Sequence, residues 1–263
     1  FLKGQMSPEG KILGARINLL PNGNPLDTAY SLFAKDLTVH DEDSHDHWDV
    51  IYQNPNGKYS YVYTLEKRKK SINKKYKKVD EFEKVYGKLY KNVIKALKDK
   101  KDLLAVPMYT LLKTYMRVGN ETYFKVDGHK GLTTLEKKDI KINPPKVAFN
   151  FIEKGGVPMN IVETFPEEYT KRLKSLMQNL KPSDFVFANN GIPLKDTEFM
   201  KAFEKYSGEK FYPHIVRSYY ATTQAKNFLK THKKATKKEI KDLFTSIAEK
   251  LGHKRFSKKD NKW

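Results

Sequence analysis

The chain has 263 residues and a mass of 30.6 kDa, long enough for one large domain or two smaller ones. Its 51 Lys and Arg outnumber 31 Asp and Glu, so the net charge of +20 predicts a polyanionic partner, nucleic acid before an anionic membrane. No spanning apolar run, signal peptide or cysteine is visible, which excludes disulfides, argues against a membrane partner and a zinc site, and indicates a reducing intracellular compartment.

The first fifty residues carry signals for turns and one short strand. Pro21–Pro25 has turn composition, and the apolar run Ala15–Leu20 can form a strand. Histidines in an acidic surrounding could suggest metal binding: His40, His45 and His47 stand among Asp41, Glu42, Asp43, Asp46 and Asp49. Because so dense a run of charge is typical of a solvated loop, we predict an acidic loop here and no metal site.

A β-hairpin is predicted next. Residues 48–53 and 59–64 alternate or run apolar on either side of an Asn-Gly dipeptide, which is typical of two-residue hairpin turns. Lys58, Tyr59 and Tyr61 would place a cation and aromatic rings on this hairpin. These side chains could stack on bases and contact phosphates, or the tyrosines could pack across strands. We take Lys58, Tyr59 and Tyr61 as candidate DNA-binding residues.

A run rich in lysine follows the hairpin. Its cations are Lys67, Arg68, Lys69, Lys70, Lys74, Lys75, Lys77 and Lys78. Such a run is usually a solvated linker, but in a chain of this charge we interpret it as a basic linker that contacts a nucleic-acid backbone. Lys67, Arg68, Lys69 and Lys70 are the candidate DNA-binding residues within it. The boundary placed here divides the chain into a β-rich N-terminal domain, residues 1–78, and a second domain, residues 79–263.

The second domain begins with helical periodicity. Apolar residues recur three and four apart over Val79–Leu97 and predict a helix of about five turns. Another helix is predicted over Asp102–Met116, with Pro107 kinking or dividing it and Gly119 as its C-terminal stop. Residues 125–131 are interpreted as a mobile loop.

The period then changes from helical to alternating. Short strands are predicted over residues 139–142, 146–153 and 157–164. The last two are joined by a glycine-rich turn with Lys154 at its tip. Taken alone, Lys154 is an ordinary solubilising turn residue.

Helices complete the chain and are predicted over residues 166–180, 196–206, from Pro213 onward, and 236–251. Gly252 caps the last of them, and His253 lies just beyond it. On the Pro213 helix, His214 and Arg217 are three residues apart and share a face. The rigid two-pronged guanidinium suits a phosphate, although it could also reach solvent or a carboxylate.

Four separated segments of the chain form a recognisable set. They are Arg117–Glu121 with Tyr123 and Gly131–Leu135, then Val147–Lys154, Arg217–Ala221 and Ile247–His253. Together they resemble the type IB DNA topoisomerases, especially the small poxvirus and bacterial ones, in order and approximate spacing from about residue 45 to the end. The first segment is fairly specific, whereas the last two are shared with tyrosine recombinases. The hairpin before the lysine run resembles the family's N-terminal DNA clamp.

The chemistry of DNA strand cleavage accounts for these residue types. Transesterification passes through a phosphorane with extra negative charge on its non-bridging oxygens, which two arginines can hold by charge-assisted hydrogen bonds. We assign Arg117, Arg217 and His253 to the phosphate, and Lys154 to protonation of the departing 5′ oxygen. The resemblance implies the same roles, with no metal and no cofactor.

The expected nucleophile is the main departure from the family. The resemblance implies a tyrosine shortly after the histidine, and residues 254–263 contain none. Either the chain is truncated before the nucleophile, which would then lie beyond residue 263, or it is inactive as given; we expect the truncation. Tyr219 and Tyr220 are on the Arg217 helix, where packing is the simpler explanation.

Three further residues are candidates for DNA contact. The resemblance implies this role for Asn120 and Tyr123. His214 and Arg217 have the His-x-x-Arg spacing typical of tyrosine recombinases, whereas the small topoisomerases more often have lysine at the first position. His214 could therefore contact the phosphate or only the helix entrance.

The predicted fold class is α+β, with a small β-rich N-terminal domain and a mainly α-helical catalytic domain that contains a three-stranded antiparallel sheet. The resemblance implies ATP- and metal-independent relaxation of double-stranded DNA through a 3′-phosphotyrosyl intermediate, by a monomer that closes round the duplex. The alternatives are a tyrosine site-specific recombinase and a non-catalytic DNA- or RNA-binding protein.

Overall fold

The computed structural model describes residues 3–6, 12–40, 47–254 and 256–257. The chain divides into two compact units, Phe1–Lys77 and Lys78–Trp263. The division falls inside a long helix, α1 (Leu65–Ala96), so one continuous stretch of helical backbone contributes to both units.

The first unit is built from antiparallel sheets of three strands. Its strands are β1 (Lys3–Met6), β2 (Ile12–Leu19), β3 (Pro25–Ser31), β4 (Lys35–Val39), β5 (Val50–Gln53) and β6 (Tyr59–Val62). In chain order, β1–β3 form one sheet and β4–β6 the other. A small apolar core joins residues of both sheets: Leu20, Leu26, Tyr30, Val50 and Val62.

The predicted hairpin is confirmed by the pairing of β5 with β6. Tyr52 lies opposite Ser60, and Gln53 lies opposite Tyr59. Gly57 has a φ of +79°, a conformation that suits glycine because it lacks a Cβ. The strand predicted over Ala15–Leu20 is part of β2.

The histidines of the predicted acidic loop are only partly described. The rings of His40 and Trp48 are in contact, tilted by 32° with centroids 3.6 Å apart, and the ring of His47 lies 5.6 Å from that of Tyr61. His45 lies outside the described residues. Within the described ranges, no three His, Asp or Glu side chains are grouped as metal ligands would be.

Helix α1 begins at Leu65 and not at Val79, so the predicted start of the helix is wrong and the lysine run is helical. Residues 65–78 contain no buried side chain, whereas Val79, Phe82 and Leu89 further along α1 are buried. Because the sequence prediction depended on an apolar stripe, it found only the half of the helix that packs against a core.

The second unit is mainly helical. After α1 come α2 (Ala105–Thr114), α3 (Glu121–Asp127), α4 (Glu167–Met177), α5 (Asp196–Ser207), α6 (Ile215–Thr231) and α7 (Lys237–Lys250). Its strands are β7 (Ile140–Asn143), β8 (Lys146–Glu153), β9 (Val157–Thr164), β10 (Ala188–Asn189) and β11 (Ile192–Pro193). β7, β8 and β9 form an antiparallel sheet in that order, as predicted.

Aromatic side chains fill much of the core of this unit. The ring of Phe82 on α1 lies 5.9 Å from Phe203, 5.0 Å from Phe211 and 5.3 Å from Tyr219, each edge to face. These contacts fix α6 against α1 through Tyr219, the packing role predicted for that tyrosine. No helix in the described part of the chain has the length and apolar character needed to span a membrane.

The segment that follows α2 differs from the prediction. The helix stops at Tyr115, whose φ of +58° is left-handed, and not at Gly119. Pro107 lies in the first turn of α2, where it needs no hydrogen-bond acceptor, so it neither kinks nor divides the helix. The first three residues of the predicted mobile loop, 125–127, belong to the short helix α3, whose first turn is capped by the Asn120 side chain.

The observed fold class is α+β, as predicted: a β-rich first unit, then a mainly helical unit with a three-stranded antiparallel sheet. Helix α6 and the ends of α2, β8 and α7 carry the residues of the candidate site.

Candidate active site

The backbone of Arg117 is fixed by the segment Gly131-Leu-Thr-Thr. The carbonyl oxygen of Arg117 accepts a hydrogen bond of 2.7 Å from the Leu132 amide, and the Val118 carbonyl accepts one of 2.6 Å from the Thr133 amide. The Thr133 hydroxyl donates to the same Val118 carbonyl at 2.8 Å. The segment that contains Arg117 is therefore fixed by hydrogen bonds to a second segment, residues 131–134, which is distant in sequence.

A close approach of two glycines allows this arrangement. A Cβ added to Gly131 would lie 2.6 Å from the Cα of Gly119 and 2.7 Å from the carbonyl oxygen of Arg117, closer than real Cβ atoms come. Gly119 itself has a φ of +106°. The glycine and threonine residues of the two sequence motifs are thus explained by backbone packing around Arg117.

The guanidinium of Arg117 is paired with Glu153. Its Nη1 lies 2.6 Å from Oε2 of Glu153, in ion-pair contact although not aligned as a hydrogen bond. The Glu153 side chain is 1% exposed, whereas that of Arg117 is 29% exposed. The carboxylate is the buried and fixed member of the pair, and the arginine reaches it from the surface.

Glu153 is a site residue that the sequence analysis missed. On β8, the alternating residues Val147, Phe149 and Phe151 point to the buried side of the sheet, and Glu153 continues that alternation. A carboxylate on the apolar face of a strand is the signal that could have identified it, because a buried charge needs a partner.

Arg217 is held much more tightly than Arg117. It is 3% exposed on α6, where Nη1 donates to the Tyr115 carbonyl at 2.6 Å and Nη2 to the Leu251 carbonyl at 2.6 Å. The left-handed turn at Tyr115 ends α2 where its carbonyl meets the guanidinium. Nε of Arg217 is buried without a hydrogen-bond partner among the described residues, so a donor stays unused.

His253 is brought to the arginine by the end of α7. Gly252 has a φ of +66°, and the His253 amide donates to the Ala248 carbonyl at 2.8 Å. Nε2 of His253 then lies 3.3 Å from Nη2 of Arg217. A Cβ on Gly252 would lie 2.5 Å from Oε2 of Glu153, so the missing side chain leaves room for the carboxylate.

Burial and mutual repulsion shift two pKa values in this cluster. Burial, then the charge of Arg117, lowers the pKa of Arg217 to about 10, and Glu153 opposes that change. Burial, then the charges of Arg217 and Arg117, lowers the pKa of His253 below its usual 6.5. The histidine is therefore neutral at neutral pH, and the cluster is poised to receive an anion.

Lys154 follows Glu153 at the tip of the β8–β9 turn, with its side chain exposed. Its Nζ lies 5.8 Å from the centre of the Tyr123 ring on α3, a cation–π distance. Tyr123 is itself 56% exposed, and Asn120 uses its side-chain oxygen to accept from the Thr122 and Tyr123 amides. Lys154 thus directly follows the carboxylate that contacts Arg117, and its exposed side chain is accessible to a ligand.

His214 and Tyr220 take different positions on α6. His214 precedes the first residue of the helix and is exposed, while the Arg217 side chain is buried. The predicted shared face therefore does not give the two residues equal access to a ligand. Tyr220 packs its ring 4.3 Å from that of Tyr115, the packing role predicted for it.

The candidate residues of the hairpin lie in the first unit. Tyr59 and Tyr61 are each 48% exposed on the same face of β6, and Lys58 is exposed in the turn before them. The hydroxyl of Tyr59 donates to Asp36 at 3.2 Å. Both rings are presented to solvent and are not packed into the sheet.

The four candidate cations at the start of α1 are mostly paired with carboxylates. Lys67 lies 2.9 Å from Asp49 and Arg68 lies 3.8 Å from Asp27, both within the first unit. Lys70 is 2.6 Å from Glu66 one turn earlier, and Lys69 is exposed. Exposed pairs of this kind are weak and exchange readily with other anions.

Fold and site together define an α+β protein with two arginines and a histidine gathered at one point and a lysine on an adjoining turn. Comparison with known proteins makes this more specific. The sequence model of the family described as "Eukaryotic DNA topoisomerase I, catalytic core" matches residues 65–262. The chain belongs to this family, as predicted.

Poxvirus proteins are among its relatives. The chain is 31% identical over 97 residues to DNA topoisomerase I of Monkeypox virus and to DNA topoisomerase 1B of Vaccinia virus, strain Copenhagen. Each match covers 37% of this chain and 31% of the relative, so the chain spans about a third of the length of these curated relatives.

Solved structures of a recombinase are also similar. XerH site-specific recombinase bound to difH substrates, in post-cleavage and pre-cleavage complexes, matches with TM-scores of 0.42 at 18% and 17% identity. The matches cover 64% of this chain and 44% and 46% of the recombinase chains.

Proposed function

We propose that the protein is a type IB DNA topoisomerase that cleaves one strand of double-stranded DNA, relaxes supercoils and religates the strand. The observation that carries the proposal is the convergence of Arg117, Arg217 and His253, which come from three separate segments of a chain belonging to the topoisomerase family. An anion at this point would find donors from all three side chains.

The proposed chemistry is a transesterification. A tyrosyl oxygen attacks phosphorus, the bond to the 5′ oxygen breaks, and a 3′-phosphotyrosyl link forms; religation reverses these steps. The guanidiniums stabilise the charge that develops on the non-bridging oxygens, an effect worth about 10²–10³-fold for one well-placed donor. Nε of Arg217, buried and unpaired among the described residues, is suited to donate to one of those oxygens.

The general acid in this proposal is Lys154. It protonates the 5′ oxygen as that atom departs, for which typical rate effects are about 10²–10⁴-fold. Its exposed position on the turn beside Glu153 supports this role, because its contact with the exposed Tyr123 ring leaves the lysine accessible to a bound strand.

Duplex DNA and a monomeric state complete the proposal. The net charge of +20 favours a polyanion, and the exposed rings of Tyr59 and Tyr61 with the cations of α1 offer contacts for it. In this proposal a single copy of the protein carries out cleavage, relaxation and religation.

A plasmid-relaxation assay tests the function. The protein expressed from its complete gene is incubated with supercoiled plasmid, without ATP and with a chelator. We expect the full-length product to relax supercoiled plasmid and its K154A variant to be slower by about 10²–10⁴-fold.

The alternatives give different results in the same assay. A site-specific recombinase would leave plasmid without its target site supercoiled and would exchange strands between duplexes that carry the site. A non-catalytic binder would bind DNA tightly and with strong salt dependence, yet form no covalent adduct.

A further inference from the structure

Glu153 is an unusual residue to find at an anion-binding site. Its side chain is almost fully buried on β8, and a buried carboxylate is costly unless opposite charge compensates for it. Oε2 lies 2.6 Å from Nη1 of Arg117 but has no aligned hydrogen bond among the described residues. Charge, rather than a satisfied hydrogen-bond network, therefore holds this pair together.

The carboxylate acts on both arginines of the site. It is in contact with Arg117, it lies beside Gly252 at the residue before His253, and its charge opposes the deprotonation of Arg217. It thus supplies negative charge where two guanidiniums would otherwise repel each other. A bound phosphate would supply the same charge at the same arginines.

We propose that Glu153 is the resident counter-anion of the arginine pair. In the free protein Glu153 binds the guanidinium of Arg117, and it competes with a DNA phosphate for that guanidinium. Glu153 is fixed at the end of a strand, whereas Arg117 is 29% exposed, so the guanidinium is the member of the pair that turns toward the ligand. Glu153 is a positioning residue and takes no part in bond making.

A matched control is available on the neighbouring strand. Glu163 on β9 lies 3.9 Å from Lys113 and is also paired with Lys250, and among the described residues it forms no ion pair with either arginine. E153Q and E163Q each remove one negative charge from the same sheet and keep the size of the side chain. A general gain of positive charge would therefore act in both variants.

The experiment measures the affinity of residues 1–263 for a short fluorescent DNA duplex by anisotropy at fixed ionic strength. We expect E153Q to lower Kd by about fivefold to tenfold, as expected for removal of one competing charge at close range. E163Q is expected to change Kd by less than about twofold. In the R117A background, most of the effect of E153Q is expected to disappear, because the arginine for which the carboxylate competes is gone.

Several outcomes would overturn the proposal. They are an unchanged or higher Kd in E153Q, an equal gain in E163Q, and a full E153Q effect that persists in R117A. If neither E153Q nor E153A folds, as judged by circular dichroism, Glu153 is a determinant of the fold and the proposal is wrong.

The inference rests on the proposed function only for the identity of the anion. The binding measurement needs no strand cleavage, so the two can fail separately. If the effect of E153Q on Kd depends on Arg117 but the protein does not relax plasmid, the proposed topoisomerase activity is contradicted and the counter-anion proposal is not. If the protein relaxes plasmid but the effect of E153Q on Kd does not depend on Arg117, the counter-anion proposal is contradicted and the topoisomerase activity is not.

Discussion

The two arginines of the site are held in opposite ways. Arg217 is buried on a helix, and two backbone carbonyls, of Tyr115 and Leu251, fix its guanidinium. Arg117 is on a loop whose backbone is fixed, but its guanidinium meets one carboxylate, that of Glu153, and remains partly exposed.

This contrast indicates that the two arginines have different roles at the site. Neutral carbonyls orient Arg217 without cancelling its charge, so it is a preorganised cation whose position does not depend on the ligand. A carboxylate neutralises Arg117, so this arginine becomes effective only when an anion draws it away. Under the proposed function, Arg217 would define where the phosphate binds, and Arg117 would turn toward the phosphate once it has bound.

The largest effect is expected for R217A. The substitution removes a charge at the site and leaves the Tyr115 and Leu251 carbonyls without their donor. We expect loss of relaxation by at least about 10²–10³-fold, together with a loss of about 1–3 kcal/mol in the free energy of unfolding. Relaxation assays and urea unfolding measure the two effects. Retention of full stability would contradict the structural half of this comparison.

R117A is expected to reduce relaxation by about 10²-fold and to destabilise the protein for a different reason. The buried Glu153 carboxylate loses its partner, at a cost of about 1–3 kcal/mol. Adding E153Q to R117A should then restore stability but not activity, whereas adding E153Q to R217A should restore neither. If E153Q rescues the stability of both variants equally, the two arginines are not held differently.

A smaller, structural effect is expected for G131A. The added Cβ would collide with the Gly119 backbone and with the Arg117 carbonyl, so the loop must shift. We expect a destabilisation of about 1–3 kcal/mol and weaker relaxation, measured by thermal unfolding and plasmid assay. Gly87 on α1 is the control, because nothing lies within 4 Å of an added Cβ there. G87A should stabilise the helix by about 0.5–1 kcal/mol.

The smallest effect concerns pH. The pKa of His253 is lowered in the folded protein by burial and by both arginines, so the unfolded chain binds this proton more readily. Folding stability should therefore fall as pH drops below the usual histidine value of 6.5, and rise again toward neutral pH. H253Q should flatten this dependence in melting temperatures recorded between pH 5 and 8. An unchanged slope would mean that other groups produce it.

Local pattern was enough to predict much of the second unit. β8, β9 and the helices around Arg217 and His253 follow from alternation, apolar stripes and cap residues, because each of these signals is contained in a few neighbouring residues. The β5–β6 hairpin was equally readable from its Asn-Gly turn.

What the sequence could not supply was contact between distant segments. The Tyr115 carbonyl contacts Arg217 only because α2 ends in a residue with left-handed backbone conformation. That residue is a tyrosine and not a glycine, so the sequence contains no signal for this conformation. The sequence analysis singled out Lys154 and not the adjacent Glu153. The burial of Glu153 follows from strand register and from the space at Gly252. The first half of α1 had no apolar stripe to reveal it.

That half of α1 also has an energetic consequence. Lys70, Lys74 and Lys78 follow one another at four-residue steps, where like charges repel. Exposed pairs with Glu66 and Glu81 offset this repulsion only weakly, and residues 65–78 bury no side chain. Helix formation there and neutralisation by a polyanion are consequently linked equilibria. Amide hydrogen exchange in this stretch should slow as the concentration of salt, or of DNA, is raised.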